Sequence, residues 1–329
     1  MLVRGSRKWF GVGLVACVGA AVLGGLEVSL ARSAGAPPAL VSAASASTGS
    51  PSPTTRPVAR PTLAGSTVRP RSRVLTQPGA AAQPASDGLA ESLDRAARLA
   101  VADGLRAGIA VFDTATGRLY RAGQADARFG TASVVKVLIA AYLLANHEMT
   151  GPTADLAYSM ITRSDDDAAT ILWQQVGGPA LEPWIEQHFG VPGLGSPNTI
   201  PGRWGNTHVT PSGLVRLYAK LRTDPAVWPW LGDAMRHLSP IAKDGTDQTF
   251  GLPAVARHAP VKQGWAAGSA DDPADAVVNT TGYLDRDRYA VAILTEGAEN
   301  NDTTDSRGLN PAQAAVVTAM ARTLGPIAR

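Results

Sequence analysis

The chain changes character near Pro84, and that break limits what can fold. Up to it, Ala, Gly, Ser, Thr and Pro dominate; beyond it, apolar residues recur at helix and strand spacings. The 329 residues are 45% apolar, enough for a substantial core, but only the C-terminal part is patterned to form one. One domain is therefore expected over residues 86–329.

Arg4, Arg7 and Lys8 precede a mainly apolar stretch from Trp9 to Leu26, followed by small residues around Ser29-Leu30-Ala31 and Ala34-Gly35-Ala36. This is the order of a secretory signal peptide, so residues 1–36 read as a cleaved export signal, with retention as an N-terminal anchor the second reading. Cys17 is the single cysteine, which rules out a disulfide or a cysteine-based metal site in the domain. Leu14-Val15-Ala16-Cys17 has the form of a lipoprotein box, but the apolar run continues well past the cysteine, which favours an ordinary signal core. Residues 37–85 have no apolar periodicity and centre on Pro51-Ser-Pro-Thr-Thr-Arg-Pro57. Such a stretch cannot bury enough surface to offset its ordering entropy and reads as a flexible spacer, suited to holding a domain off a membrane or within a cell wall.

The basic balance of the whole chain, +3, is misleading. Residues 1–84 carry nine Lys/Arg and one acid, whereas the remainder carries twenty-one against twenty-six. The basic excess lies scattered on the tail and forms no run that would track phosphates, so nucleic-acid binding is not expected.

Within the domain, Leu89, Leu93, Ala96, Ala97 and Ala100 form a helical stripe that Ser86-Asp87 can cap. Residues 107–112 and 117–120 flank Asp113-Thr-Ala-Thr116 as a hairpin with Gly117 at the turn exit. Helices are expected over 133–146, from near Ala154 to just before Ser164, and over 166–175. A second hairpin joins 276–283 to 289–296 through Asp285-Arg-Asp287, and a last helix runs 311–324 with Asn310 as its cap. Helix and hairpin at both ends, with helices between, predict an α+β fold: one antiparallel sheet built from both termini, a helical lobe, and a cleft between them.

Three short motifs follow in order: Ser133-Val-Val-Lys136, Ser164-Asp165-Asp166 and Lys262-Gln263-Gly264. If Ser133 begins a helix, Lys136 lies one turn on along the same face and within reach of the hydroxyl. A serine is a poor nucleophile until a base takes its proton, and a lysine can do so only where burial or a neighbouring cation depresses its pKa. Lys262 is the natural second cation and a natural attractor of a substrate carboxylate, and Ser164 can pass a proton between the lysines and a leaving nitrogen. The backbone N–H groups of Ser133 and Trp265 would form an oxyanion hole. Taken singly, the first motif is no more than a capping serine and a surface lysine. Context changes that: Phe129-Gly-Thr-Ala-Ser-Val-Val-Lys136 precedes an apolar helix, Val261-Lys-Gln-Gly264 precedes a hairpin, and Thr207-His-Val-Thr-Pro211 opens a helix.

Over residues 86–329 the chain resembles the class A β-lactamases and penicillin-binding proteins, whose S-x-x-K, S-D-N and K-T-G elements these motifs match in order. The resemblance implies a β-lactamase/transpeptidase-like fold with Ser133 as nucleophile, Lys136 as base, Ser164 as relay and Lys262 as electrostatic anchor. Asp166, Gln263, Gly264 and Trp265 would contact a β-lactam or peptidoglycan-type small-molecule substrate. Four departures qualify it. Only 31 positions separate Ser133 from Ser164, which implies a reduced helical lobe. Asp166 stands where the family has Asn, where a carboxylate would attract Lys136 or Lys262 and repel an acidic substrate, and Gln263 replaces a Thr or Ser that would contact the substrate carboxylate. Class A enzymes also carry a Glu on a loop before the Thr-Pro helix to activate water, whereas no Asp or Glu occurs here between Glu186 and Asp224.

These features predict an exported or envelope-tethered serine hydrolase with slow deacylation, without metal or organic cofactor, and monomeric. The alternatives are a D-Ala-D-Ala carboxypeptidase or esterase on the same fold, and a non-catalytic wall-binding protein. The five histidines (His147, His188, His208, His237, His258) show no metal-ligand spacing, and no G-x-S-x-G elbow supports a Ser-His-Asp triad. Asp165-Asp166-Asp167 reads as a motif plus helix-start charge, Trp228 and Trp230 as core or cleft wall, and Asn279-Thr-Thr281 and Asn301-Asp-Thr303 as N-x-T patterns without weight.

Overall fold

The computed structural model describes residues 83–198, 200, 202–268, 275–298 and 307–328. The expected signal segment (1–36), Cys17, nearly all of the spacer and Asn301-Asp-Thr303 lie outside them. The first helix, α1 (Gln83–Ala102), starts earlier than its sequence stripe, so Ser86 and Asp87 fall inside it and not at its cap. Leu89, Leu93, Ala96 and Ala100 form its buried face.

Five strands form the main sheet. β1 (Arg106–Asp113) and β2 (Arg118–Gly123) are the first hairpin. Its turn closes because Asp113 accepts the Ala115 N–H (3.0 Å) and Gly117 takes the left-handed conformation its position requires (φ 71°). β6 (Val261–Ala266), β7 (Asp275–Leu284) and β8 (Tyr289–Ala298) come from the other end of the chain. The order β2-β1-β8-β7-β6, antiparallel throughout, pairs β1 with β8 and joins the two ends of the domain into one sheet. Asp113 holds β1 to the β7–β8 turn as well, accepting two bonds from the Arg288 guanidinium (3.0 and 2.8 Å).

Alternation along the strands divides the core. Ile109, Val111, Val291 and Ile293 face α1 and the closing helix α8 (Pro311–Arg322), while Ala110, Ala290, Ala292 and Leu294 face the helical lobe. Asn310 caps α8 through the Gln313 N–H, as expected.

The lobe comprises α2 (Val135–Ala145), α3 (Gly151–Thr162), α4 (Asp166–Gln175), α5 (Leu181–Phe189), α6 (Pro211–Thr223) and α7 (Trp228–Arg236). Thr210 caps α6, its hydroxyl accepting from the Gly213 N–H, with Pro211 as first helical residue. α6 carries the lobe onto the sheet: the Tyr218 and Tyr283 rings stack at 5.4 Å, and the Tyr283 hydroxyl donates to the Tyr218 carbonyl (2.8 Å). The nine-residue α5 and α7 carry no periodic stripe long enough to read from sequence. Trp228 packs edge-on against Tyr283 and Trp230 against Tyr158, so both belong to the packing of the lobe.

A short sheet of β3 (Phe129–Gly130), β5 (His208–Val209) and β4 (Gly195–Ser196), in the order β3-β5-β4, delivers the chain to Ser133. Two buried side chains of the main sheet hold that segment. Glu296 accepts the Gly130 N–H (2.8 Å), and Asn279 donates to the carbonyls of Gly130 (2.9 Å) and Thr131 (3.2 Å) while accepting from the Thr295 N–H (3.0 Å). The N-x-T pattern at Asn279 is thereby explained: it is an interior strand residue. Asn279→Ala, losing three buried hydrogen bonds, is expected to cost about 2–4 kcal/mol in urea denaturation.

Candidate active site

The segment around Ser133 forms in two steps. Ala132–Val134 is a single 3₁₀ turn, and only from Val135 does the helix become α, so the helix expected to start at Ser133 begins two residues later. Ala132 sits at φ 44°, a left-handed conformation that costs a non-glycine residue about 1 kcal/mol or more. The cradle of Asn279 and Glu296 imposes it, and it turns Ser133 onto the cleft.

α2 is mainly apolar and lies largely buried, with Lys136 as its single charged residue. Its ammonium, with no solvent access, lies 2.9 Å from Ser133 Oγ, 2.8 Å from the Ser164 carbonyl, 3.2 Å from Ser164 Oγ and 2.5 Å from Asp166 Oδ1. The Trp204 ring covers it at 4.8 Å. From β6, Lys262 Nζ donates to Ser164 Oγ (3.0 Å) and to the Gln263 carbonyl (2.9 Å). The four residues expected to carry chemistry, Ser133, Lys136, Ser164 and Lys262, are thus joined through two lysines and one shared hydroxyl. Burial lowers the pKa of Lys136 against the opposing pull of Asp166, and burial and then the Lys136 charge push Lys262 well below the ordinary lysine range.

The second motif divides its labour. Ser164 is left-handed (φ 52°), and this conformation aims both its carbonyl and its hydroxyl at the lysines. Asp165 turns inward: it caps α4 through the Asp167 and Ala168 N–H groups, accepts from Ser159 (2.8 Å), and takes both oxygens of its carboxylate to Lys243 (2.9 Å each). Burial alone would raise the Asp165 pKa; Lys243 and the helix-start N–H groups reverse this and hold it below the usual carboxylate range. Asp166, as anticipated, attracts Lys136, while its side chain stays 65% exposed and opens on the cleft.

The third motif requires a correction. The Gln263 side chain does not enter the cleft: it alternates to the opposite face of β6, where its amide donates to the Phe250 carbonyl (2.5 Å) and accepts from Thr280 Oγ1 (2.8 Å). It is therefore a core residue and offers no group to a substrate. Gly264 faces the turn that carries Ser133, where a Cβ would lie 2.7 Å from the Thr131 carbonyl oxygen, so the close approach of β6 to Ser133 requires glycine. Trp265 buries its indole against Phe250 and lines the cleft from the edge strand, where its backbone is available.

The cleft is a cavity of about 400 Å³ that also takes in Arg203, Trp204, Asp244, Arg307 and Gly308. None of these carries a motif; they converge from loops, and no sequence spacing signals them. No group of three or more His, Cys, Asp or Glu side chains among the described residues is arranged to hold a metal ion.

The loop before α6 has no carboxylate of its own, but a buried one lies beneath it. Glu182 on α5 faces Gly195, and burial together with Glu186 pushes its pKa up to about 7; it does not line the cleft. A carboxyl raised in the folded state takes up more protons than the unfolded chain between about pH 4.5 and 7, so its contribution to stability falls as pH rises through that window. Denaturation at a series of pH values is expected to show wild type losing about 2–3 kcal/mol over this range relative to the isosteric Glu182→Gln variant.

No protein-family model matches the chain. Among curated proteins it is similar to "Putative lipoprotein LppW" of Mycobacterium tuberculosis and of Mycobacterium bovis, 33% identical over 208 residues that cover 59% of this chain and 65% of the relative. The chain thus spans slightly less than two thirds of the length of these relatives. Among solved structures it is similar to a β-lactamase from Streptosporangium roseum (TM-score 0.55, 18% identity, 72% of this chain and 100% of that one). It is also similar to the β-lactamase from Streptomyces albus G (TM-score 0.53, 20% identity, 71% and 98%). A β-lactamase from Chitinophaga pinensis is similar to the same degree (TM-score 0.54, 15% identity, 71% and 98%). With an antiparallel sheet closed from both ends of the domain, flanking helices and these structural neighbours, the chain has the β-lactamase/transpeptidase-like fold.

Proposed function

We propose that this protein is a serine hydrolase that transfers the acyl group of a β-lactam or a related peptidoglycan-type amide to Ser133 and releases it slowly. The observation that carries the reading is the contact of a fully buried lysine, Lys136, with Ser133 Oγ at 2.9 Å, backed by the bridge through Ser164 to Lys262. In this reading attack by Ser133 on the carbonyl is assisted by proton removal into the lysine pair, and the backbone N–H groups of Ser133 and Trp265 receive the developing oxyanion. Ser164, bonded to both lysines, returns a proton to the leaving nitrogen.

Slow release follows from the carboxylates. The loop from Gly193 to Asn206 holds none, Asp166 is engaged by Lys136, and Glu182 lies beneath the loop. A water approaching the acyl-enzyme thus meets no free base in the position that class A enzymes use. The envelope is the proposed location: the N-terminal segment has the order of an export signal, and the name of the mycobacterial relatives supports tethering at the membrane, by that segment or by lipid on Cys17.

Intact-protein mass after incubation of the full chain with a penicillin, sampled from seconds to hours, tests the reading. A long-lived adduct absent from Ser133→Ala is the expected result. Hydrolysed drug without an adduct would replace slow release by true lactamase turnover. Neither adduct nor hydrolysis, with D-Ala-D-Ala peptides and simple esters also inert, would overturn the hydrolase reading in favour of a wall-binding protein.

A further inference from the structure

The two lysines at Ser164 differ in one respect that fixes how charge divides between them. Lys136 has a carboxylate at 2.5 Å; among the described residues Lys262 has none within ion-pair range, Asp166 and Asp244 acting on it only through space, and its two bonds go to a hydroxyl and a carbonyl, both neutral. Both ammonium positions are fully buried and share one hydroxyl, so two positive charges there would repel across Ser164 without water to screen them. We propose that Asp166 holds Lys136 as the ammonium and leaves Lys262 as the neutral amine, which makes Lys262, acting through Ser164, the terminal proton acceptor for Ser133. The proposal rests on the serine-hydrolase reading for its catalytic consequence, but not for its assignment of charge.

The contacts supply an unbroken route. Ser133 Oγ lies 2.9 Å from Lys136 Nζ, Lys136 Nζ 3.2 Å from Ser164 Oγ, and Ser164 Oγ 3.0 Å from Lys262 Nζ. As the Ser133 oxygen bonds to the substrate carbonyl carbon, the carbonyl π pair moves to its oxygen. Ser164 gives its hydroxyl proton to the lone pair of Lys262 and takes one from the Lys136 ammonium, and the lone pair this frees on Lys136 takes the Ser133 proton. Lys136 and Ser164 end as they began, and Lys262 has gained one proton. On collapse the bond to the leaving nitrogen breaks; that nitrogen takes the Ser164 proton, which Lys262 replaces.

Asp166 is thus a positioning residue: it touches neither the nucleophile nor the reacting carbonyl, and it acts by pinning a charge. The asparagine found at this place in the resembling family has no charge with which to do so. This role also uses the exposure of Asp166, because the outer part of a carboxylate open to the cleft keeps its hydration while one oxygen serves Lys136.

The chain has five lysines, so a full-length sample labelled with carbon-13 at lysine Cε gives five resonances. Their shifts distinguish amine from ammonium. Near pH 8 the expected spectrum has one amine-type resonance, which disappears in Lys262→Met. In the isosteric Asp166→Asn variant the ammonium of Lys136 loses its counter-ion, and its resonance is expected to titrate at least one pH unit lower. If Lys262→Met does not yield a folded spectrum, the Asp166→Asn titration alone identifies Lys136 as the resonance that moves most. An amine-type resonance belonging to Lys136, or ammonium shifts for both lysines, would overturn the proposal. So would an Asp166→Asn spectrum that titrates like wild type. The acid limb of Ser133 acylation, followed by mass in the same two proteins, is expected to move down in pH with the variant. An amine on Lys262 with no acylation of Ser133 by any probe would sink the hydrolase reading alone and leave the charge assignment standing.

Discussion

Two lysine side chains without solvent access meet at one hydroxyl, Ser164 Oγ, and much else in the domain exists to make that meeting possible. Buried ammonium groups are costly unless every donor finds a partner or the charge is shed. Lys136 answers the cost with four acceptors, one of them a carboxylate oxygen. Lys262 has two neutral acceptors and lies beside another cation, so its charge is the one disfavoured. The site is therefore an asymmetric pair.

Such a pair has to be imposed by the surrounding structure. Ala132 and Ser164, which set the directions of the Ser133 and Ser164 hydroxyls, are both left-handed without being glycine. The stabilising contacts lie in neighbouring elements: Asn279 and Glu296 from the main sheet hold the strand that leads into Ala132, and Asp165 with Lys243 and the α4 start hold the backbone around Ser164. Gly264 lets the edge strand approach the Ser133 turn closely enough for the sheet to deliver Lys262. Strain at the site is thus balanced by satisfied polar groups in the core.

Within each motif, side-chain alternation and helix capping separate neighbours in sequence into different environments. Asp165 and Asp166 are adjacent, yet one is an internal brace and the other faces the cleft. Lys262 and Gln263 are adjacent on a strand, so they point to opposite faces: one to the reacting groups, the other to Phe250 and Thr280. Where the resembling enzymes have Thr or Ser, Gln263 therefore offers no hydroxyl to the cleft and places its amide in the core.

The sequence by itself determined the two hairpins and the longer helices, because hairpin turns, apolar stripes and caps are local: Gly117, Thr210-Pro211 and Asn310 each do what their chemistry requires within a few residues. It also determined the order of Ser133, Lys136, Ser164 and Lys262, since the motifs are contiguous and stand against apolar periodicity. The tertiary structure alone decided what lies between them. The choice of Lys136 over Lys262 as the partner of Asp166, the bracing of the Ser133 turn by Asn279, and the entry of Trp204, Asp244 and Arg307 into the cleft all involve residues far apart in the chain. No local pattern encodes such contacts, because each depends on which face of a strand or helix is turned inward once the two ends of the domain have closed into a single sheet.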